Sequence, residues 1–513
     1  MRSISRRLAL QAGAIFATGV APSQAAAQTV PAQPFSALTV TQIARDLARQ
    51  PFQPPDTALP GAAASMTYDQ YQGIRFRQER ALWADRGLPF QVAFFPRGFL
   101  FRPRVDVHEV VDGVALPVPS SADLFDFDDP SVRPAEDLGL AGLRIHAQIN
   151  RPGAFDEFCV FLGASYFRAV GRGQLYGLSA RGLAIDSGGA TPEEFPRFRA
   201  FWLERPGVAD GTLVLHALLD SPSVTGAFRF AITPGDSTAM EVQSSLHPRV
   251  DIARAGIAPL TSMYLFSPRD RARVDDWRTA VHDSDGLVAT PGTALAEGGR
   301  LWRPLANPRG VQVSAIPLPS PLGFGLVQRR RAFEDFGDLQ VLYEKRPDLV
   351  VTARGAWGDG AAELVELPTG TEYADNIVAF WRPGEALRAG GAYGYDYRLD
   401  WGVHPDGATP VAGLARVVST RTGPAAAAGL RVFVLDLVGG TLGSLGDDAG
   451  SRVELSSSGG RLSLGYSGRN PEAGGWRISL EFDPAGAAVA DLRCSLVGPL
   501  GPLAETWLFR WEG

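Results

Sequence analysis

The chain has one lysine, two cysteines and no long apolar run past its N-terminus, and each scarcity excludes a class of protein. Lys345 stands alone among 49 basic residues, the rest being arginine. With a net charge of −6 and no basic cluster, it lacks the positive stripe that displaces counterions, so nucleic acid is not an expected partner. Cys159 and Cys494 cannot form a disulfide framework, and they read as two buried free thiols. His108, His146, His216, His247, His282 and His404 form no H-x-H or H-E-x-x-H pair, so no zinc, other metal or cofactor is expected. The phosphate-binding G-x-x-x-x-G-K-[ST] is missing, and GRGQLYG has the wrong glycine spacing for a dinucleotide loop. Neither GYSGR nor GLSAR is a G-x-S-x-G nucleophile elbow. Without a further apolar run of ~18 residues, stable membrane insertion is not expected.

The N-terminus carries the clearest local signal. Basic Met1–Arg7, apolar LALQAGAIFATGVA and small residues up to Ala27 make residues 1–27 an export signal. SRRLAL resembles a twin-arginine signal, which carries proteins across already folded. A disordered Pro/Ala/Gln-rich linker at 28–34 is expected next, and a periplasmic location.

Beyond it, one helix and many strands are expected. In SALTVTQIARDLARQ, Val40, Ile43, Ala44 and Leu47 recur at helical spacing. Leu143, Ile145, Ala147 and Ile149 alternate with polar residues, a strand period. Apolar runs at Thr212–Leu219, Ala227–Thr233, Val432–Val438, Trp476–Phe482 and Thr506–Trp511 are bounded by turn residues. The fold class is therefore all-β, of sandwich type. A chain of 513 residues exceeds one core. The composition shift over HPDGATP and TRTGPAAAAG divides a large β domain, 35–405, from a smaller β-sandwich, 412–513.

What remains is carboxylates and aromatics, the inventory of a carbohydrate protein. Asp283 and Asp285 flank Ser284 in VHDSDGL, and Asp375 stands beside Glu372 and Asn376 before the apolar run Ile377–Trp381. Glycoside hydrolysis uses one protonated carboxyl to give a proton to the leaving oxygen and a second route to deprotonate water. On these grounds alone a turn-capping role, which is common, is the favoured reading of each aspartate. Trp277, Trp302, Tyr343, Trp357, Tyr373 and Trp381 lie nearby. Trp302 with Arg303, and Tyr343 with Arg346, pair an aromatic face with a guanidinium suited to sugars. Trp357, in GAWGDG, reads as loop-borne and exposed, and Trp381 as core.

Eleven segments together resemble one family, the periplasmic glucan biosynthesis proteins G and D of osmoregulated periplasmic glucan synthesis. They are YDQYQGIRF, ADLFDF, FLGASYFRAVG, YGLSARGLAID, EEFPRFRAFWLERP, APLTSMYLF, HDSDGL, WRPLANP, GFGLVQRRRAFEDF, YEKRP and DNIVAFW. The export signal leans towards the D protein. The resemblance implies a galactose-mutarotase-like N-terminal β-sandwich and an immunoglobulin-like C-terminal one. It also implies a cleft for β-1,2-glucan, which relatives hydrolyse with inversion or transglycosylate. By motif, Asp375 is the general acid and Asp283 the base, acting through a relay of hydroxyls and water. Expected substrate contacts are Trp302, Arg303, Tyr343, Arg346, Trp357 and Tyr373, and a homodimer is left open. Val350-Val351-Thr352-Ala353 replaces the relatives' Trp-Val-Glu-Pro run, and the C-terminal domain matches weakly outside GPLAETWLFRW. The alternative implied is a non-catalytic factor that guides nascent glucan.

Overall fold

The computed structural model describes residues 33–513 except 136, 272–273, 293–298, 404–412 and 445–449. The export signal, residues 28–32 of the linker and the boundary at 405–412 lie outside the described residues. The last two linker residues, Gln33–Pro34, pair as a short strand with Val114 and Ala115. Strands hold 48% of the described residues and helices 8%, so the fold is all-β, with sandwich-like sheets.

The expected helix forms at Thr39–Ala48. Val40 and Ala44 are buried against Val110, Trp202 and Leu218, with Ile43 and Leu47 packed beside them. Helix C-termini leave carbonyls without intrahelical donors. Here Thr225 Oγ1 donates to Ala44 O at 2.7 Å and Arg249 Nη2 to Leu47 O at 3.1 Å.

The chain divides into two compact units. The first comprises residues 1–259, 373–375 and 385–401, the second 260–372, 376–384 and 402–513. In the first, one sheet runs through Val114–Pro117, Asp106–Val111, Arg197–Glu204, Leu213–Asp220, Val224–Thr233, Thr238–Pro248 and Tyr393–Gly402. Another runs through Phe90–Pro96, Leu140–Ala147, Asp156–Leu162, Tyr166–Ala169 and Ser179–Arg181. Phe161, Phe167, Phe198, Phe201 and Phe230 interlock in its core, mostly edge to face. The alternation read in Leu143–Ala147 does not leave its polar face open. Arg144 lies 4.0 Å over the Phe95 ring and pairs with Glu157, and His146 is buried.

In the second unit, one sheet runs through Asp348–Arg354, Gly323–Val327, Gly286–Thr290, Leu301–Pro304, Thr506–Glu512, Val489–Gly498 and Arg452–Ser457. A second holds Gln312–Pro317, Gly360–Glu366 and Ile377–Pro383, and a third Arg416–Pro424, Arg431–Val438, Gly475–Asp483 and Arg461–Asn470. Phe433, Leu435, Trp476, Ile478 and Leu480 of the third pack with Leu492, Cys494 and Trp507 of the first. Cys159 and Cys494 are both free and buried, as expected. Among the described residues no helix is long and apolar enough to cross a membrane.

Candidate functional site

Every residue of HDSDGL is fixed by a different neighbour in the second unit. The strand Val281–His282 pairs with Tyr264–Phe266, which stacks His282 on Tyr264 at 5.6 Å and 11°. Burial lowers the His282 pKa, so the ring is neutral. Its Nδ1 lies 3.1 Å from Gln328 Oε1, and Gln328 Nε2 donates to Tyr343 O at 2.8 Å. The Asp283 side chain has no solvent exposure. Its amide donates to Met263 O at 2.8 Å and its carboxylate pairs with Arg346. Ser284 Oγ is 2.7 Å from Ser262 Oγ, and Asp285 accepts the Arg329 amide at 3.0 Å.

Tyr343 and Arg346 flank this aspartate from the YEKRP turn. Arg346 lies 4.5 Å over the Tyr343 ring, and Tyr343, fully buried, donates its hydroxyl to Glu372. Glu372 also accepts Arg278 Nη1 at 2.8 Å. The structure thus brings Asp283, Tyr343 and Arg346 together and adds Arg278 and Glu372, which sequence reasoning passed over as contacts.

Asp375 belongs to the first unit. The residue is half-buried, but its side chain is 2% exposed, the rest of its exposure being backbone. Arg168 Nη2 donates to its Oδ2 at 3.2 Å. Arg168 comes from Tyr166–Ala169, which pairs with Ser179–Arg181 so that Tyr166 faces Arg181. The Arg181 guanidinium sits 4.6 Å over the Tyr166 ring and donates to Glu193 Oε1 at 2.5 Å. Burial pushes the Tyr166 phenol up to about 12, with Arg181 opposing and the Glu193 and Asp375 charges adding. The arginine on Asp375 was visible only as one letter of FLGASYFRAVG. Next along the chain, in the second unit, Asn376 Oδ1 accepts the Tyr264 amide at 2.8 Å and its Nδ2 donates to Leu367 O at 2.9 Å.

Three expected sugar contacts are corrected. Trp302 is 4% exposed: a Cβ on Gly286 would lie 1.9 Å from its ring, and Arg329 lies 4.3 Å over it. Arg303 is buried and bound to Glu366, itself without exposure, at 2.8 Å. Trp357, expected to be exposed, is 7% exposed and packs edge-on against Trp381 at 5.3 Å. The two indoles are packed in the interior, and Arg303 is engaged in a buried ion pair. Tyr373, in the first unit, is 40% exposed. Of the four residues where the chain departs from its relatives, Val350 and Val351 are buried in a strand and Thr352 and Ala353 are half-buried.

A cavity of about 260 Å³ lies under the N-terminal helix of the first unit, lined by Ile43, Leu47, His108, Arg199 and Trp202 among others. None of the expected site residues lines it, and the Trp202 indole is already stacked on Phe35 and His108. Among the described residues no cluster of three His, Cys, Asp or Glu could hold a metal ion.

An all-β protein with buried carboxylates, each held by a buried arginine, is the class that fold and site define. The chain belongs to the periplasmic glucan biosynthesis protein family, MdoG, whose model matches residues 35–511. It is 48% identical over 491 residues to the glucans biosynthesis protein G of Rhodopseudomonas palustris, spanning 96% of each chain. It is 45% identical over 507 residues to that of Bradyrhizobium diazoefficiens, covering 99% of both. The Vibrio cholerae protein is 44% identical over 477 residues, 92% of this chain and 86% of that one. These relatives carry the G name, so the expected leaning towards the D protein has no support from them. A solved α-galactosidase of Geobacillus stearothermophilus overlaps 50% of this chain and 39% of its own at a TM-score of 0.24 and 10% identity, too slight a likeness to bear on fold or function.

Proposed function

We propose that this protein binds and processes a β-1,2-glucan backbone in the periplasm by an inverting hydrolase or transglycosylase mechanism. Asp375 gives its proton to the leaving glycosidic oxygen. Asp283 receives the proton of the attacking water or sugar hydroxyl through a relay. The observation carrying this reading is that neither aspartate is a surface turn cap: their side chains are 2% and 0% exposed, each on a buried arginine. The relay to Asp283 is the one the family resemblance implies, and the full enclosure of that carboxylate is consistent with it. Of the expected contacts, Arg346 pairs with Asp283, Tyr343 lies against that guanidinium, and Tyr373 is exposed.

The test is incubation of purified protein with linear β-1,2-glucan, followed by mass spectrometry of chain lengths. Shorter linear chains mark hydrolysis, and cyclised or lengthened ones mark transfer. An unchanged distribution would sink the catalytic reading. The second reading, a binding factor that guides nascent glucan, draws on the same ion pairs, because a carboxylate neutralised by arginine also makes a structural brace. It predicts binding without turnover.

Export is proposed to run through the twin-arginine signal. Changing Arg6 and Arg7 together to Lys should leave the precursor in the cytoplasm. Normal periplasmic accumulation of that variant would assign the segment to the ordinary secretory route.

A further inference from the structure

Trp277 is the one exposed tryptophan among the described residues, at 72% relative exposure. Of the other nine, eight are buried and Trp511 is half-buried. An indole carries a large apolar face, and leaving it in water forgoes its burial.

This indole is mounted on a braced loop. The Arg278 guanidinium lies 5.8 Å from its ring centroid. Arg278 is held by three carboxylates: Asp276 at 2.8 Å, Asp338 at 3.2 Å and Glu372 at 2.8 Å. Asp338 in turn accepts the amides of Gln340 and Val341 at 2.9 and 3.1 Å. Gly337, at φ +70°, holds the left-handed backbone that favours glycine beside the ring, where a Cβ would make ordinary contact with the indole Cζ3 at 3.7 Å.

The brace is continuous with the site already described. Glu372 joins Arg278 to the Tyr343 hydroxyl, and Tyr343 carries Arg346, the partner of Asp283. We infer that Trp277 is a stacking platform for a pyranose ring of the glucan, an outer subsite belonging to the same substrate path as Asp283. The chemistry matches a neutral sugar. A pyranose offers an apolar face of C–H groups for the indole and a rim of hydroxyls. Beside the ring, the Asp276 carboxylate held by Arg278 supplies acceptors for those hydroxyls. A protein partner would instead require an apolar surround that excludes water from the anchor residue.

This inference rests on the glucan reading, and the experiment separates the two. Full-length wild type, Trp277→Ala and Trp277→Phe are titrated with linear β-1,2-glucan, following tryptophan emission and binding heat. Because Trp277 is exposed, both variants should melt with the wild type. Wild type should show an emission change and reduced acrylamide quenching on binding. Trp277→Ala should lose that response and bind at least about tenfold more weakly, with Trp277→Phe recovering most of the affinity. Equal affinity of Trp277→Ala and wild type overturns the platform and leaves the glucan reading standing. No binding by wild type overturns both. An indole already shielded from acrylamide in ligand-free protein, with a dimer in sedimentation, assigns Trp277 to a contact between copies and also overturns the platform.

Discussion

Replacing Asp375 by Asn is expected to lower turnover of linear β-1,2-glucan by about 10³-fold, in the range that general acid catalysis contributes. Asn keeps the shape of the side chain and its place before the strand Ile377–Pro383, but it cannot give a proton at neutral pH. The change also strips a buried arginine of its anion, since Arg168 is 4% exposed and pairs with this carboxylate. Breaking one side of a buried pair typically destabilises by about 3–5 kcal/mol, so lost activity alone would be ambiguous. The double variant Asp375→Asn with Arg168→Met resolves this, because removing both partners leaves no orphaned charge. If Asp375 is the acid, the double variant regains the wild-type melting temperature and stays inactive. If Asp375 only braces Arg168, turnover returns with stability. Retained glucan affinity in the inactive variant would place the loss in the chemical step.

Much of the fold was legible, because apolar periodicity reports which face a segment buries. The helix at Thr39–Ala48 and the strands at Leu213–Asp220, Arg431–Val438 and Gly475–Asp483 formed where the pattern put them. The aromatic contacts were not legible, for a specific reason. GAWGDG reads as an open loop because glycine usually marks one. In the fold, a Cβ at Gly360 would meet the Trp381 ring at 2.3 Å, and Trp357 packs against that same ring. Gly286 does the same for Trp302 across the sheet. At Gly360 and Gly286 the glycine marks close indole packing on backbone, which period and polarity do not encode.

The partners of the arginines were hidden in a related way. Arg303 and Arg346 were expected to reach sugars, yet each is consumed by a buried carboxylate far away in sequence, Glu366 and Asp283. Long-range pairing of this kind leaves no local trace. Trp277 and Arg278 show the converse, since DDWR has no periodicity and its meaning depends on Asp338 and Glu372 folding back onto it.

Acid should unfold this protein well before its carboxylates are stripped of charge. Burial lowers the pKa of His108, His146, His247 and His282. His146 goes furthest, to about 4, with the Arg144 charge adding to burial and Asp156 opposing. In the unfolded chain a histidine takes up its proton near 6.5. Between pH ~6.5 and ~4, therefore, the unfolded state binds a proton that folded His146 refuses, and stability falls as pH falls. A displacement of that size corresponds to about 3 kcal/mol once pH reaches 4, and it is regained as pH rises through 6.5. The other three histidines act in the same direction. Glu157 and Glu366 act against them, because burial holds their carboxyls above the usual range and the folded state protonates first. Urea midpoints measured from pH 7.5 to 4.5 should fall steadily for wild type. His146→Gln, uncharged at every pH, should show a shallower fall. Superimposable profiles for the two would remove His146 as a source of the acid sensitivity.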